Sequence, residues 1–255
     1  MGGRTGYVPG TFCWADVGAP DTAAAAAFYG SMFGWEAEPT PGGYSMFTLD
    51  GKNVAGLFRL PDGLEPTWLS YVCVEDAAAT CALATERGAS VAMEPRDVGP
   101  PGVDVGRSAL LADPEGAVVG LWQPGLHRGA DVVNEPGTMV WNQLVTPDVV
   151  TAQQLFGGLF GWTYELQDEG EQPFWLLHNR EGGLNGAVMS LPAEGVQAHW
   201  QVTFAVEDTP AAAERAKELG GAVLIEPFET SIGRIAWVTD PSGAELGFFD
   251  GEGDP

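Results

Sequence analysis

Residues 10–38 read GTFCWADVGAPDTAAAAAFYGSMFGWEAE, and residues 137–165 read GTMVWNQLVTPDVVTAQQLFGGLFGWTYE. The offset is 127 residues, and 11 of the 29 aligned positions are identical. Two further stretches, 68–95 and 106–122, match 200–227 and 233–249 in the same way. An internal repeat of this length defines the architecture of a chain. The sequence therefore predicts a tandem duplication, with one domain at residues 10–123, a linker at 124–136 and a second domain at 137–250.

Each predicted domain contains the same local pattern twice. A short apolar strand, at residues 11–17, 68–74, 138–145 or 200–206, leads to an aspartate that can cap the first free amides of a helix. Each helix ends at a glycine, which can adopt the left-handed conformation of a helix C-terminus, and three short strands follow. The aspartates and glycines are Asp21, Asp76, Asp148 and Asp208, and Gly34, Gly88, Gly161 and Gly220. The pattern predicts an α+β chain of four βαβββ modules.

Composition limits the possible partners. The chain has 255 residues, with 11 Lys and Arg against 35 Asp and Glu, which gives a net charge of −24. Such a surface repels nucleic-acid phosphates and anionic lipid, so we expect neither as a partner. No apolar run reaches the ~18–20 residues of a membrane helix, and the first residues contain no apolar signal core, so we expect a cytoplasmic protein. Three cysteines and three histidines are too few for a disulfide framework or a site built on several histidines.

The order of the modules resembles the vicinal oxygen chelate superfamily, which includes glyoxalase I, extradiol dioxygenases and bleomycin-resistance proteins. The resemblance is carried by FYGSMFGW at 28–35 and by the DPxGAxxG segments at 113–120 and 240–247, and it covers residues 10–250. Within the superfamily, the chain is similar to a two-domain actinobacterial branch. The resemblance implies a duplicated glyoxalase/bleomycin-resistance fold, in which each domain is a curled mixed sheet around a cavity with helices on the outer face.

The resemblance also identifies the positions at which related enzymes hold a divalent metal. They lie seven residues before each capping aspartate and seven residues after the aspartate of each DPxG turn. This chain has Trp14, Leu69, Trp141 and Gln201 at the first set and Gly120 and Gly247 at the second. A catalytic divalent metal needs about three protein ligands, and only Gln201 could supply one. We therefore expect no catalytic metal and no cofactor.

Alternation along the strands predicts which side chains face the cavities. Aromatic side chains predominate among them, with a few isolated polar groups, which is typical of a small-molecule pocket. Trp14 and Trp141 either stack on a planar ligand or only fill the space of the absent metal. The predicted ligand-binding residues are Phe12, Trp14, Leu69, Trp122, Trp141, Gln143, His199, Gln201, Glu245 and Phe249.

Asp16 and Tyr71 are the candidate catalytic residues. A carboxylate in an aromatic pocket acquires a raised pKa through desolvation and can act as a base. Two alternatives stay open, because Asp16 could be an exposed residue at a strand end or an anchor for a ligand amine. The second copy has Gln143 and Thr203 at these positions. We therefore expect the functional pocket in the first domain.

Three functions are compatible with the sequence. The favoured hypothesis is a metal-independent protein that binds a hydrophobic or aromatic small molecule, such as a natural product or antibiotic, with a cationic ligand suited to the acidic surface. The first alternative is a metal-free cyclase, isomerase, lyase or cofactor-independent oxygenase of secondary metabolism. The second is a metal-dependent enzyme of the glyoxalase or dioxygenase type. Because the duplication already pairs two domains, a monomer is favoured over a homodimer.

Overall fold

The computed structural model describes residues 2–167, 173–191 and 196–251 of the chain. Within these residues, the order of one strand, one helix and three strands occurs four times, as the sequence predicts. The first two modules contain β1 (Phe12–Ala19), α1 (Thr22–Phe33), β2 (Glu36–Pro39), β3 (Tyr44–Leu49), β4 (Lys52–Arg59), β5 (Thr67–Cys73), α2 (Ala77–Glu86), β6 (Ser90–Val98), β7 (Gly106–Ala112) and β8 (Val118–Pro124). The last two contain β9 (Met139–Thr146), α3 (Val149–Phe160), β10 (Thr163–Gln167), β11 (Phe174–His178), β12 (Leu184–Ser190), β13 (His199–Ala205), α4 (Thr209–Glu218), β14 (Ala222–Thr230), β15 (Gly233–Thr239) and β16 (Glu245–Asp250).

Each domain is one curled, mixed sheet of eight strands. The strand order is β2-β3-β4-β1-β5-β8-β7-β6 in the first sheet and β10-β11-β12-β9-β13-β16-β15-β14 in the second. In the middle of the first sheet, β1 is antiparallel to β5 and parallel to β4, and β5 is parallel to β8. The same pairing recurs around β9 and β13. The two modules of a domain therefore join through their first strands, which carry most of the candidate residues.

The helix ends follow the polar signals in the sequence. The side chain of each predicted capping aspartate accepts hydrogen bonds from backbone amides in the first turn of its helix. All four predicted terminal glycines have positive φ. Gly34 and Gly161 cap α1 and α3 directly, whereas Gly88 and Gly220 follow the caps of α2 and α4 by one residue. No helix in the described part of the chain is both long enough and apolar enough to span a membrane.

Aromatic side chains join the two domains. Phe204 of β13 packs against Trp35 and Trp68 of the first domain, with ring centroids 5.3 and 4.9 Å away. In the reciprocal contact, Phe12 of β1 packs against Trp200 of the second domain at 5.2 Å. These contacts use the sheet faces that also carry the helices. We call the opposite face of each sheet the open face.

Candidate active site in the first domain

The strand register places the candidate catalytic residues on the open face of the first sheet. Trp14 pairs with Tyr71 across β1 and β5, and Tyr71 pairs with Gly120 on β8. Asp16 lies two residues further along β1 and pairs with Gly56 on β4. Because residues paired across neighbouring strands share a face, these side chains lie together. The opposite face of the same strands packs under the helices and against the second domain.

Asp16 lies at the bottom of the open face, and only 5% of its surface is exposed. Its Oδ2 accepts a hydrogen bond of 3.2 Å from the hydroxyl of Tyr44, and the same hydroxyl accepts one of 2.9 Å from Nε1 of Trp14. Its Oδ1 has no hydrogen-bond partner in the described part of the chain. A buried carboxylate oxygen without a partner is uncommon in folded proteins. The carboxylate therefore ends a chain of hydrogen bonds and presents one oxygen to a further partner.

Burial sets the protonation state of this group. Loss of water raises the pKa of Asp16 to about 7 from its usual 3.8, and the hydroxyls of Tyr44 and Tyr71 limit the rise because they favour the ionised form. Burial, reinforced by the charge on Asp16, raises the pKa of both tyrosines well above 10. At neutral pH the tyrosines are therefore neutral donors, whereas Asp16 is near its titration midpoint. A general base works best with a pKa near the ambient pH.

Two glycines make room for the two tyrosines. A Cβ atom on Gly56 would overlap the hydroxyl of Tyr44, and a Cβ atom on Gly120 would overlap the ring of Tyr71. Neither glycine has positive φ, so close approach of a side chain, rather than backbone freedom, explains the residue type. The ring of Tyr71 thus fills the space beside Gly120, where the family resemblance places a metal-binding carboxylate.

His127 completes the site and was not predicted from the sequence. Its ring lies edge-on to Trp14, with centroids 4.5 Å apart, and 5.4 Å from the ring of Trp122. Nε1 of Trp122 donates to the His127 carbonyl at 3.0 Å, which holds the linker against β8. Burial lowers the pKa of His127 to about 4, so the imidazole is neutral at pH 7. His127 lies five residues after Trp122, in the stretch that the sequence predicts only as a linker between the domains.

Partly buried apolar side chains surround the buried centre. The register places Met46 of β3 opposite Gly56, Leu69 of β5 opposite Asp16, and Leu110 of β7 opposite Gly120. All three are only partly buried, because the helices lie on the other side of the sheet. An apolar rim around a few convergent polar groups is the usual composition of a small-molecule site. The first domain therefore has a buried polar centre, Asp16, inside an apolar rim, and we call these residues the cup.

The second domain keeps the aromatic position but not the acid–base groups. Trp141 pairs with Thr203 in place of a tyrosine. Gln143 takes the position of the carboxylate, and its Nε2 donates to Oε1 of Gln201 at 2.8 Å. Phe174 takes the register position of the tyrosine that contacts the carboxylate in the first domain. Among the described residues of the duplicated copy, no ionisable group therefore lies at the centre of the open face.

Three other predicted residues lie in this second domain. His199 shares a face with the glutamine at 201, and its Nδ1 contacts the backbone oxygen of Gln197 at 2.7 Å. Its Nε2 is 3.9 Å from Oε2 of Glu245, which is exposed. Phe249 is buried on the same face, beside β15. These residues are remote in sequence and domain from Asp16 and form no part of its site.

Phe12 is separated from the site by a bulge. The register of β1 against β5 shifts between Phe12 and Trp14, and this turns Phe12 toward Trp200 at the domain interface. The structure therefore brings together five of the predicted residues and adds two that the sequence did not indicate. The five are Trp14, Asp16, Leu69, Tyr71 and Trp122, and the two are Tyr44 and His127.

Comparison with known proteins identifies the family to which this fold belongs. The sequence model described as "Glyoxalase-like domain" matches residues 13–121 and again residues 138–249. The chain belongs to this family, within the vicinal oxygen chelate superfamily. Solved structures of the superfamily share the fold at low identity. The Mn(II)-bound glyoxalase from Novosphingobium aromaticivorans is 18% identical, with a TM-score of 0.66, and the match covers 97% of this chain and 86% of that one.

Proteins of similar sequence span both domains. "Putative glyoxylase CFP32" of Mycobacterium tuberculosis is 38% identical over 252 residues, which cover 94% of this chain and 95% of its own length. The anthracycline biosynthesis protein DauV of Streptomyces sp. (strain C5) is 36% identical over 269 residues, which cover 94% of this chain and 93% of its own length. The chain is thus related along nearly its whole length to proteins of antibiotic biosynthesis.

The residues at the family's metal-binding positions do not fit a divalent metal. Trp14 and Leu69 offer no metal-binding atom, and the ring of Tyr71 lies against Gly120. In the second domain, Thr203 lies against Gly247 in the same way. No group of three or more His, Cys, Asp or Glu side chains in residues 2–167, 173–191 and 196–251 is arranged to hold a metal ion. Any chemistry at Asp16 therefore falls to the side chains of this chain.

Proposed function

We propose that this protein is a metal-independent enzyme that moves a proton on an aromatic carbonyl compound bound in the cup of the first domain, with Asp16 as the base. The observation that carries the proposal is the buried Asp16 carboxylate, whose Oδ1 has no partner and whose pKa is raised to about 7. Strongly raised pKa values of buried carboxyl groups in clefts are typical of catalytic acids and bases. The reaction class is enolisation, which leads to isomerisation or ring closure.

The side chains divide the work of this step. Asp16 takes a proton from the carbon next to the carbonyl group. The electron pair of that C–H bond forms a C=C bond to the carbonyl carbon, and the π pair of the C=O bond moves onto the oxygen. Once Asp16 has taken the proton, the hydroxyl of Tyr71 turns from Asp16 to the developing oxyanion and donates to it, because a neutral donor in a dry site stabilises such charge strongly. Trp14, Trp122 and His127 provide aromatic surface for the rings of the substrate. In a substrate with a C=C bond conjugated to the enolate, the proton on Asp16 then adds to the far carbon of that bond. The electron pair on the oxygen re-forms the C=O bond, and the isomerisation is complete.

The relatives favour an aromatic, polycyclic substrate. Two similar proteins, DauV and DnrV, are named for anthracycline biosynthesis, and both are 36% identical to this chain. The rings of Trp14, Trp122 and His127 in the first domain match such a substrate in chemistry. The second domain lacks the carboxylate, so the proposed reaction is confined to one of the two open faces.

A binding protein without turnover is the second candidate. The net charge of −24 and the rings of Trp14, His127 and Trp122 favour this alternative, since aromatic rings and acidic surroundings both attract cationic aromatic molecules. In that case the ionised carboxylate of Asp16 binds an amine of the ligand. If Asp16 only binds an amine, Asp16→Asn lowers affinity and removes no catalysis. If Asp16 is a base, the same substitution abolishes the reaction and leaves binding nearly intact.

Solvent exchange provides the test. We expect the wild-type protein in D₂O to accelerate deuterium incorporation next to the carbonyl group of 1-tetralone, measured by mass spectrometry. Asp16→Asn should lower this rate at least ~100-fold, the usual contribution of a general base, and addition of EDTA should change nothing. Asp97→Asn is the matched control, because Asp97 is an exposed carboxylate of the same domain. A wild-type rate equal to that of Asp16→Asn, or a rate abolished by EDTA, would contradict the proposal.

A further inference from the structure

We propose that the second domain carries a binding site of its own, on the open face of its sheet, for a planar aromatic molecule with a carbonyl oxygen. The site is independent of Asp16 and of the reaction proposed for the first domain. Its centre is a row of paired residues that runs across five neighbouring strands. The row consists of Trp141, Thr203, Gly247, Trp237 and Ile225.

Two buried donors in this row have no partner. Thr203 is fully buried, and its Oγ1 makes no hydrogen bond in the described part of the chain. Trp237 is 8% exposed, and its Nε1 also makes none. Buried polar groups in folded proteins are nearly always satisfied. An indole N–H can only donate, and a threonine hydroxyl can donate, so the missing partner is an acceptor.

The two donors flank a position that has no side chain. Gly247 pairs with Thr203 on one side and with Trp237 on the other. A Cβ atom on Gly247 would overlap Oγ1 of Thr203, so the glycine keeps the hydroxyl close to the sheet. The Thr203 side chain itself occupies the space above Gly247, and a ligand oxygen would accept from its hydroxyl on the side of Trp237.

Exposed apolar surface lies next to these donors on the same face. Phe228 stacks on Trp237 with ring centroids 6.2 Å apart and an angle of 19° between the planes. Phe228 and Ile225 are each 44% exposed. Exposed apolar side chains grouped around polar groups are typical of a binding site rather than of a bare surface. The flat, stacked pair suits a planar aromatic ring.

The charges around the row select a neutral acceptor. Gln143 stands in the place of the ionisable Asp16 at the centre of this face, and its Nε2 donates to Oε1 of Gln201. Glu245, exposed at the edge of the same face, together with the net charge of −24, opposes a carboxylate or phosphate. A carbonyl oxygen fits these conditions, because it accepts hydrogen bonds without carrying a charge.

A matched pair of ligands tests the site. Fluorene and 9-fluorenone have the same planar skeleton, and only the ketone has an acceptor. We expect isothermal titration calorimetry of the intact chain to give saturable binding of 9-fluorenone, weakened about tenfold in Thr203→Val and in Trp237→Phe. Fluorene should bind wild type and Thr203→Val equally. Thr85→Val, which removes an exposed hydroxyl on α2 outside both open faces, should not change the affinity for the ketone.

Stability separates the proposed role from a structural one. Valine has nearly the shape of threonine, and removal of an unpartnered buried hydroxyl should leave the melting temperature unchanged or raise it. Weaker binding of the ketone by a variant of equal or higher stability therefore supports the site. Equal affinity of wild type and Thr203→Val for 9-fluorenone, or absence of saturable binding to wild type, would overturn it. Neither result depends on whether the first domain is catalytic.

Discussion

Asp16 is the residue on which the proposed chemistry depends, and its burial has a cost in stability. The unfolded carboxyl group ionises near pH 3.8, whereas the folded one ionises near pH 7. A raised pKa in the folded state contributes stability at low pH, and that contribution is lost as the pH rises through 7. Above pH 7 the fold therefore contains a buried charge that weakens it.

Asp16→Asn should for this reason stabilise the protein at pH 8 more than at pH 5.5. One pKa unit corresponds to 1.36 kcal/mol, so the relative gain between the two pH values is about 2 kcal/mol. Urea denaturation of wild type and variant at both pH values measures it. The same free-energy difference at pH 5.5 and at pH 8 would show that Asp16 titrates normally in the folded chain.

Gly56 determines where the hydroxyl of Tyr44 can lie. Gly56→Ala should cost about 1–3 kcal/mol, because the new methyl group overlaps that hydroxyl. In the Tyr44→Phe background the hydroxyl is absent, so the same substitution should cost about 1 kcal/mol less. A double-mutant cycle by urea denaturation gives the coupling. Additive costs would indicate that the two residues do not contact each other as described.

Alternation along β1 and β5 was enough to propose Asp16 and Tyr71 from the sequence. Tyr44 was out of reach, because it lies on β3 and reaches Asp16 only through the register of β3, β4 and β1, which no local signal reports. For Phe12, in contrast, alternation predicts the open face, whereas the side chain lies on the other face. One bulge between Phe12 and Trp14 reverses the alternation, and nothing in the sequence marks that bulge.

At the scale of elements, the linker at 124–136 is part of the site and not only a connection. Gly129 has positive φ, and a Cβ there would overlap the backbone oxygen of Cys13. The next residue, Ala130, donates its amide to the same oxygen at 2.8 Å. These contacts hold the segment against β1, which brings His127 onto Trp14. A segment that looks like a loop in the sequence thus forms one wall of the cup.

His127 should make the fold sensitive to acid. Burial lowers its pKa to about 4 from 6.5. Between these two pH values, the imidazole is protonated in the unfolded state and neutral in the folded state. Stability from this group is present above pH 6.5 and is lost as the pH falls toward 4. In His127→Phe, the loss of unfolding free energy between pH 7 and pH 5 should be smaller by about 2 kcal/mol. Thermal or urea denaturation at these pH values measures it, and parallel curves for wild type and variant would contradict the burial of a neutral imidazole.

The helices and tight turns were predictable because their signals are local. The aspartates that cap α1 to α4 and the glycines after them act within a few residues of their own backbone. The turns at 113–116 and 240–243 close with the hydrogen bonds from Gly116 to Asp113 and from Gly243 to Asp240. The pairing of two modules into one sheet depends on distant residues. It became predictable only through the repeat and the family resemblance.

At the scale of the molecule, the two domains share a core. The hydroxyl of Tyr29 donates to Oδ2 of buried Asp240 across the interface at 3.0 Å, and the hydroxyl of Ser70 donates to Oδ1 of Asn142 at 2.6 Å. Phe204 completes the aromatic cluster of the first domain. The duplication therefore supplies the paired arrangement within one chain, and a monomer in solution stays our prediction.

Such a shared core should make the domains unfold together. We expect one calorimetric transition for wild type. Phe204→Ala should lower the free energy of unfolding by about 3–5 kcal/mol, because it leaves a cavity between the domains. Ile232→Ala, at a side chain 56% exposed, should change it little. Two separate transitions in wild type would mean that the interface contributes little stability.

Duplication has left the two open faces with different chemistry. The first keeps an ionisable centre in Asp16, with neutral tyrosine donors beside it. The second replaces that centre by paired glutamines and presents the unpartnered donors of Thr203 and Trp237. We infer a division between a reactive cup and a binding surface within one chain.

The protonation of Asp16 is the point on which the proposed function rests. Carbon-13 NMR of protein labelled at aspartate carboxyl groups, with Asp16→Asn used to assign the resonance, measures the titration of this group directly. We expect a midpoint near pH 7 in the ligand-free protein, as burial requires. A midpoint near the usual 3.8 would show a solvated or paired carboxylate and would contradict the role of Asp16 as a base.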